Sequence, residues 1–260
     1  MPPLLRARGL EPGARALFTT RRGGVSRGRY ESLNLAYTTG DAPEAVAENR
    51  RRVAASVGAR LERLVEVQQV HGPAVAVVGR EHAGSVLRGV DGLLTASPEV
   101  WLAVYAADCV PVLMLDPARP AIAAVHAGWR GTADGIVPAA LRRMREAFGT
   151  VPRSVRVALG PAIGGCCYEV GPAVARTLER AAQAAGAPLA PPSGSALPRR
   201  VDLRALIRAQ LAACGVPPEH VEAVGGCTRC RPDLFFSYRR DRVTGRMAAC
   251  IRLCDSARRE

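Results

Sequence analysis

Three side chains of this sequence carry the donor chemistry of a metal centre: His71, Cys109 and His126. His71 ends the segment Val-Gln-Gln-Val-His-Gly, Cys109 lies in Ala-Ala-Asp-Cys-Val-Pro-Val, and His126 opens His-Ala-Gly-Trp-Arg-Gly-Thr. One thiolate and two imidazoles leave the fourth position of a tetrahedral ion open, the arrangement of a catalytic rather than a structural zinc. The chain has four histidines, and two of them sit in these segments. The ligands are dispersed and match no short finger pattern, so the flanks must carry the case. Gly128 and Gly131 permit close backbone approach, and Trp129 with Arg130 could stack on or bind a ligand. The same residues admit a second reading, with Cys109 as nucleophile and His126 as its base. A metal-bound thiolate is a blunted nucleophile, so the two readings compete for one sulfur.

Other segments suit substrate binding. Arg21-Arg22-Gly23-Gly24 combines cationic forks with flexible backbone amides, which suits phosphate or another oxyanion. A plain glycine turn with solvated arginines explains it as well, and the Gly-Lys-Ser/Thr ending of a Walker A loop is absent. Glu169, in Cys166-Cys167-Tyr168-Glu169-Val170-Gly171, either supplies a carboxylate to the pocket or lies near a helix start, where the dipole favours it. Phe236-Ser237-Tyr238-Arg239-Arg240-Asp241 reads as a strand running into a charged turn with an Arg–Asp pair.

Eight cysteines occupy positions 109, 166, 167, 214, 227, 230, 250 and 254. In a cytosolic protein of this size a disulfide framework is not expected. Cys227-Thr-Arg-Cys230 is a CxxC, but no second CxxC or histidine pair lies at finger spacing. A structural zinc ribbon is therefore not expected. Cys250 and Cys254 read as small buried hydrophobes.

These residues need a scaffold. Hydrophobic content of 48% supports a large core, and aromatics at 4% leave aliphatic side chains to fill it. No run of about 18 apolar residues exists, so no membrane span is expected. The N-terminus lacks the apolar stretch of a signal peptide, and the expected location is the cytoplasm. The formal charge is +13, yet all the basic residues are Arg, scattered among acidic ones. That pattern argues for coding bias rather than a phosphate-backbone surface, and no nucleic-acid partner is expected.

Strands are expected at Ala16 to Thr20, Leu64 to Val70, Val75 to Val78, Val100 to Ala106, Val110 to Leu115, Ile122 to Val125, Val155 to Leu159 and Val221 to Val224. Phe235 to Tyr238 and Met247 to Leu253 are expected to pair as a hairpin around Thr244-Gly245. Helices are expected over 42–57, about 133–148, 171–186 and 202–214, the first with Pro43 in its opening turn. Asp91-Gly92 reads as a turn, and 187–198 as a mobile surface loop. Residues 1–15 read as a loose lead-in to a single domain over 16–254. The expected fold is α/β (α+β), a single-domain sandwich of mixed β-sheets with flanking helices. All three proposed ligands fall at or beside strand ends, where loops meet a rigid frame.

Taken together, the segments resemble the YfiH-like family, also called the laccase-domain or multicopper polyphenol oxidase-like family. The match runs from about residue 16 to 253. It includes Thr20-Arg21, Gly23-Gly24-Val25-Ser26, Ser32-Leu33-Asn34-Leu35, Gly40-Asp41, Asn49-Arg50, Gln69-Val70-His71-Gly72, Ala107-Asp108-Cys109 and His126 to Gly131. Leu159 to Gly164, Tyr168 to Gly171 and Phe236 to Asp241 complete it. Gly165 stands where members often carry Pro, and Arg22 is an extra cation; neither removes a ligand.

The resemblance implies a zinc site at His71, Cys109 and His126. It also implies phosphorolysis of adenosine, inosine and methylthioadenosine to base and sugar phosphate, with adenosine deamination beside it. On that reading Arg21, Arg50 or Arg130 would hold the phosphate, and Asp108 and Glu169 are candidate acids. The expected partners are a small-molecule nucleoside and phosphate, and the expected assembly is a monomer or weak homodimer. Copper is the second candidate metal. A laccase would take the His2Cys set as its blue-copper site, but its trinuclear cluster needs many more histidines than this chain has. Two competing functions complete the range: hydrolytic editing of a cell-wall precursor, and ligand binding without catalysis.

Overall fold

The computed structural model describes residues 1–187 and 199–254. The expected surface loop lies, from residue 188 on, outside the described residues. Fourteen strands are seen among the described residues. The first sheet has the order β1 (Leu4–Arg6), β2 (Ala14–Thr19), β14 (Met247–Leu253), β7 (Trp101–Ala106), β3 (Leu64–Gln68), β5 (Val86–Arg88). The second has the order β13 (Val221–Ala223), β10 (Arg156–Leu159), β8 (Val110–Asp116), β9 (Ala121–Ala127), β6 (Gly92–Thr95), β4 (Val75–Val77). A short pair, β11 (Glu169–Val170) and β12 (Arg199–Arg200), stands apart. Both large sheets are mixed: β3 runs parallel to β5 and β7, and β8 antiparallel to β9 and β10.

Alternation along β8 and β9 shows how the layers stack. Leu113, Leu115, Ile122 and Ala124 point between the sheets, where they meet Phe18, Val65, Leu102, Val104 and Ile251. Val112, Met114, Ala123 and Val125 point the other way, under a helical layer. That layer contains α2 (Trp129–Ala133), α3 (Ile136–Phe148), α4 (Pro172–Ala184) and α5 (Leu203–Ala213). On the outer face of the first sheet, Val53 of α1 (Pro43–Ser56) packs on Leu17, Trp101 and Cys250. Every residue of β8 and β9 is buried. A strand covered on both faces reads as a continuous apolar run, which is why these two are plain in the sequence. Each fully buried Leu or Ile here contributes about 1.5–3 kcal/mol.

Two expectations fail. Residues 1–15 are not loose: β1 pairs antiparallel with β2, and Ala7 and Leu10 are buried in the inter-sheet core. Residues 235–238 do not form a hairpin with β14. Phe235 and Phe236 fill a small cluster with Ala107 and Met247, and Ser237 caps the short helix α6 (Tyr238–Asp241) through its side chain. Both edges of β14 are already taken, one by β2 and one by β7.

Candidate metal centre and active site

The β8–β9 ladder and its neighbour β6 build the site. Val110 pairs with Ala127 and Pro111 with His126, so Cys109, just before β8, lies beside the end of β9. Gly92 pairs with Val125, so Asp91 lies across from His126. His71 arrives from the loop after β3. His71 and Asp108 both hold positive φ, at 62° and 97°. Non-glycine residues in that region are costly and concentrate at functional sites.

The ligand atoms of His71, Cys109 and His126 all lie within 4.8 Å of one another. The two imidazoles meet edge to face, with centroids 4.8 Å apart. His126 is 2% exposed, Cys109 is half-buried, and His71 is exposed, so the cluster opens on the His71 side. A Cβ at Gly128 would come within 3.0 Å of His71 Cδ2 and 3.1 Å of Cys109 Sγ. Glycine there keeps clear the space these donors face. The donor set, its spacing and this cradle fit a single tetrahedral ion with one open position.

Asp91 organises the cluster. Its carboxylate accepts from the backbone N–H groups of Val70 at 2.9 Å, His71 at 2.9 Å and Gly72 at 3.0 Å. It also lies 2.8 Å from His126 Nδ1. The His126 N–H donates to the Asp91 carbonyl at 2.7 Å. One fully buried carboxylate thus fixes the His71 loop and turns Nε2 of His126 towards Cys109. Such outer partners set the tautomer and orientation of a metal-binding histidine. Burial raises the Asp91 pKa, but the His126 contact and the backbone donors outweigh it and hold it below the ordinary value. Desolvation opposes ionisation of Cys109, yet the His126 charge and hydrogen bonds from both histidines bring its pKa down to about 6. Burial likewise opposes charging of His126, but Cys109 and Asp91 raise it to about 9.

The other expected site residues fall in different places. Asp108 flanks Cys109, but both its oxygens are engaged: Oδ1 accepts from Thr228 Oγ1 at 2.5 Å and Oδ2 from the Arg239 N–H at 2.6 Å. Arg130 is exposed at the start of α2, stacked over Trp129 at 4.6 Å. The Glu169 carboxylate pairs with Arg200 at 3.1 Å, across the β11–β12 ladder. Arg21 donates to the carbonyls of Glu31 and Pro232 and lies over the Phe236 ring at 4.6 Å. It also lines a recess of about 380 Å³ with Arg29, Asp241 and Val243. Arg50 is held by Glu66 and the Tyr105 hydroxyl. It lines a cavity of about 50 Å³ with Leu17, Trp101 and Cys250, and none of the three ligands faces that cavity.

Three residues near the cluster were not anticipated as site residues: Tyr168, Arg239 and Arg246. Burial first, then the negative charges of Cys109 and Asp108, raise the Tyr168 phenol to about 12, against the pull of Arg239 and Arg130. The Arg239 guanidinium lies over the Tyr168 ring at 5.0 Å. Arg246 is held below its ordinary value by burial, opposed by Cys109 and Asp108. Its backbone N–H is bound by Asn34 and its guanidinium by the Thr244 and Gly245 carbonyls. Asp91 was missed too, as the first residue of an Asp-Gly pair read as a turn. The available signal was the apolar Leu93-Leu94 directly after it, which marks a strand rather than a loop.

Residues 15–254 match the family model described as multi-copper polyphenol oxidoreductase laccase. The chain is 40% identical over 255 residues to the purine nucleoside phosphorylase YlmD of Geobacillus stearothermophilus, covering 92% of this chain and 90% of that one. It is 44% identical over 240 residues to a purine nucleoside phosphorylase of Streptomyces coelicolor, covering 92% and 95%. The crystal structure of the Geobacillus YlmD superposes with a TM-score of 0.87, covering 94% and 93% at 39% identity. That of a Bacillus licheniformis YfiH superposes with a TM-score of 0.90, covering 98% and 97% at 33% identity. Sequence match and superposition both span nearly the whole chain, so this protein belongs to the YfiH-like, laccase-domain family, among relatives named purine nucleoside phosphorylase.

Proposed function

We propose that the protein is a zinc-dependent purine nucleoside phosphorylase. It cleaves adenosine, inosine and methylthioadenosine with phosphate to the free base and the sugar 1-phosphate, and deaminates adenosine as a side reaction. The observation that carries this reading is the open His71–Cys109–His126 cluster over Gly128, with Asp91 fixing His126, in a chain whose relatives carry that name. His71, Cys109 and His126 would hold the ion. When bound, the ion supplies Lewis acidity and a lowered pKa for bound water.

The chain's own groups supply the rest. Arg239 and Arg130 bring positive charge to Tyr168, and Arg246 lies within reach of the Cys109 charge, which suits a phosphate nucleophile. Arg21 lines a recess open to solvent and is a second candidate for that role. Arg50 has its guanidinium committed to Glu66 and Tyr105, so its part is to support β3 and β7. Tyr168 Oη keeps its proton at neutral pH and can donate it towards a purine nitrogen as the glycosidic bond breaks. Asp108 supports the Cys109 turn, since each of its oxygens already accepts a hydrogen bond, from Thr228 and Arg239. Glu169 steadies the β11–β12 pair through Arg200.

Laccase chemistry is disfavoured by the histidine count. Of the four histidines, His82 accepts from the Gly79 N–H through Nδ1, and His220 lies in a separate turn before β13. No further histidine remains for a trinuclear copper cluster, although the triad itself would accept copper. The test is product analysis of purified wild type beside His71→Ala and Cys109→Ser. Adenine with ribose 1-phosphate from wild type, absent from both folded variants, is the expected result. Equal turnover by the variants would remove the metal site from the reaction.

A further inference from the structure

Outside the triad, the fold gathers four cysteines that the sequence places far apart. Cys166 and Cys167 lie in the loop between β10 and β11, and Cys227 and Cys230 in the segment after β13. Their sulfurs all lie within 4.8 Å of one another. Cys167 Sγ is 3.3 Å from Cys230 Sγ, and Cys166 Sγ is 3.7 Å from it. The CxxC at 227–230 therefore finds its partner in a Cys-Cys pair rather than in a second CxxC. Spacing alone, searched for a second CxxC or a histidine pair, could not find this partner.

We propose that Cys166, Cys167, Cys227 and Cys230 together bind one zinc ion, in a closed four-thiolate site that clips the β10–β11 loop to the segment before α6. The spacing supports it first. A tetrahedral zinc with bonds of about 2.3 Å has ligand sulfurs about 3.8 Å apart. The Cys166–Cys230 pair at 3.7 Å lies close to that value and the Cys167–Cys230 pair at 3.3 Å somewhat below it. All eight cysteines are free. Four thiolates so close repel strongly unless a cation sits among them, and soft sulfur donors select zinc over magnesium or calcium.

The backbone supports it second. The Gly164 N–H donates to Cys227 Sγ at 3.3 Å, the bond that favours the anionic form of a ligating sulfur. Ala162 bridges to Cys227, and the Thr228 N–H donates to the Ala162 carbonyl at 3.0 Å, so the two loops are already in register. Cys166 and Cys230 are exposed, which gives an ion an entry path. On binding, the thiol protons pass to solvent.

The position gives the clip a consequence. Cys227 precedes Thr228, whose hydroxyl holds Asp108 beside Cys109. Cys167 precedes Tyr168, whose ring faces Arg239. The clip thus ties together two segments beside the triad, without contributing an open position for substrate.

Metal content per chain tests this, by elemental mass spectrometry on protein grown with zinc and purified under reductant. Wild type is expected to hold two zinc ions, and the double variant His71→Ala/Cys109→Ser one. Cobalt added to zinc-stripped His71→Ala/Cys109→Ser should give thiolate charge-transfer absorbance, about four times that of the triad alone in Cys227→Ser/Cys230→Ser, since four thiolates replace one. If His71→Ala/Cys109→Ser folds but holds no zinc and gives no cobalt–thiolate band, the proposal is overturned. An intact mass showing a Cys167–Cys230 disulfide under the same reductant overturns it equally. Should Cys227→Ser/Cys230→Ser not fold, zinc and cobalt in the triad variant alone still decide the matter.

Discussion

Replacing Asp91 with Asn should cut metal affinity at the triad by about 10- to 100-fold. The carboxylate serves four donors: the amides of Val70, His71 and Gly72, and Nδ1 of His126. Oδ2 takes Val70 and Gly72, while Oδ1 takes His71 and His126. Asn has one acceptor oxygen, so its NH2 group must face one of these donor pairs. If the oxygen keeps Val70 and Gly72, the NH2 faces His126 Nδ1. His126 can then accept that bond only in the tautomer with its proton on Nε2, the atom turned towards Cys109, where it blocks coordination. If the oxygen turns the other way, the Val70 and Gly72 amides lose their acceptor, at about 1–3 kcal/mol for each buried group left unpaired. Either outcome weakens a ligand. The loss of affinity amounts to about 1.4–2.7 kcal/mol. Competition against a chromophoric zinc chelator measures it directly, with circular dichroism confirming the fold. Affinity within about two-fold of wild type, well short of the usual cost, would refute the claim that Asp91 sets the His126 tautomer.

Further outcomes follow from the same geometry. Gly128→Ala places a methyl about 3 Å from His71 and Cys109, and should lower triad zinc occupancy while leaving the fold intact by circular dichroism. Asp91 also makes the fold acid-sensitive. Its carboxyl titrates below the ordinary value of about 3.9, so its contribution is present above that pH and is lost as pH falls through its lower native value. Thermal melts from about pH 5 downwards should show a steeper loss for wild type than for Asp91→Asn. Glu66→Gln uncouples the buried Arg50 pair, whose side chains are 13% and 15% exposed. It should cost about 3 kcal/mol, with KM for phosphate unchanged; a raised KM would return Arg50 to the phosphate site. Tyr168→Phe should lower kcat about 100-fold with zinc content unchanged, and an unaltered kcat would sink its proton-donor role.

Much of the site was legible because its residues are unusual where they stand. A histidine closing an apolar strand, and another followed by Ala-Gly-Trp-Arg-Gly, need a reason beyond packing. The strands were legible where both faces are buried, as in β8 and β9, and the first helix where Pro43 marks its opening turn. What escaped was set by long-range pairing. Phe235 and Phe236 look like half of a local hairpin, but β14 takes its partners from β2 and β7, both far away along the chain. Asp91 looked like a turn because Asp-Gly signals turns; here the carboxylate is an acceptor for buried amides, which no local pattern encodes. The cysteine cluster was invisible for the same reason: its two halves meet across a separation of 64 residues. Arg246 and Tyr168 gained meaning only once the fold set them beside Cys109.

Phosphorolysis is tested most directly with phosphate labelled with heavy oxygen. The zinc-loaded, copper-free protein is given adenosine with the labelled phosphate, and products are resolved by mass. Adenine and ribose 1-phosphate carrying the full label are expected, at a rate that depends on phosphate, with neither product formed by folded His71→Ala. Unconsumed adenosine, or ribose released without labelled phosphate, would contradict phosphorolysis.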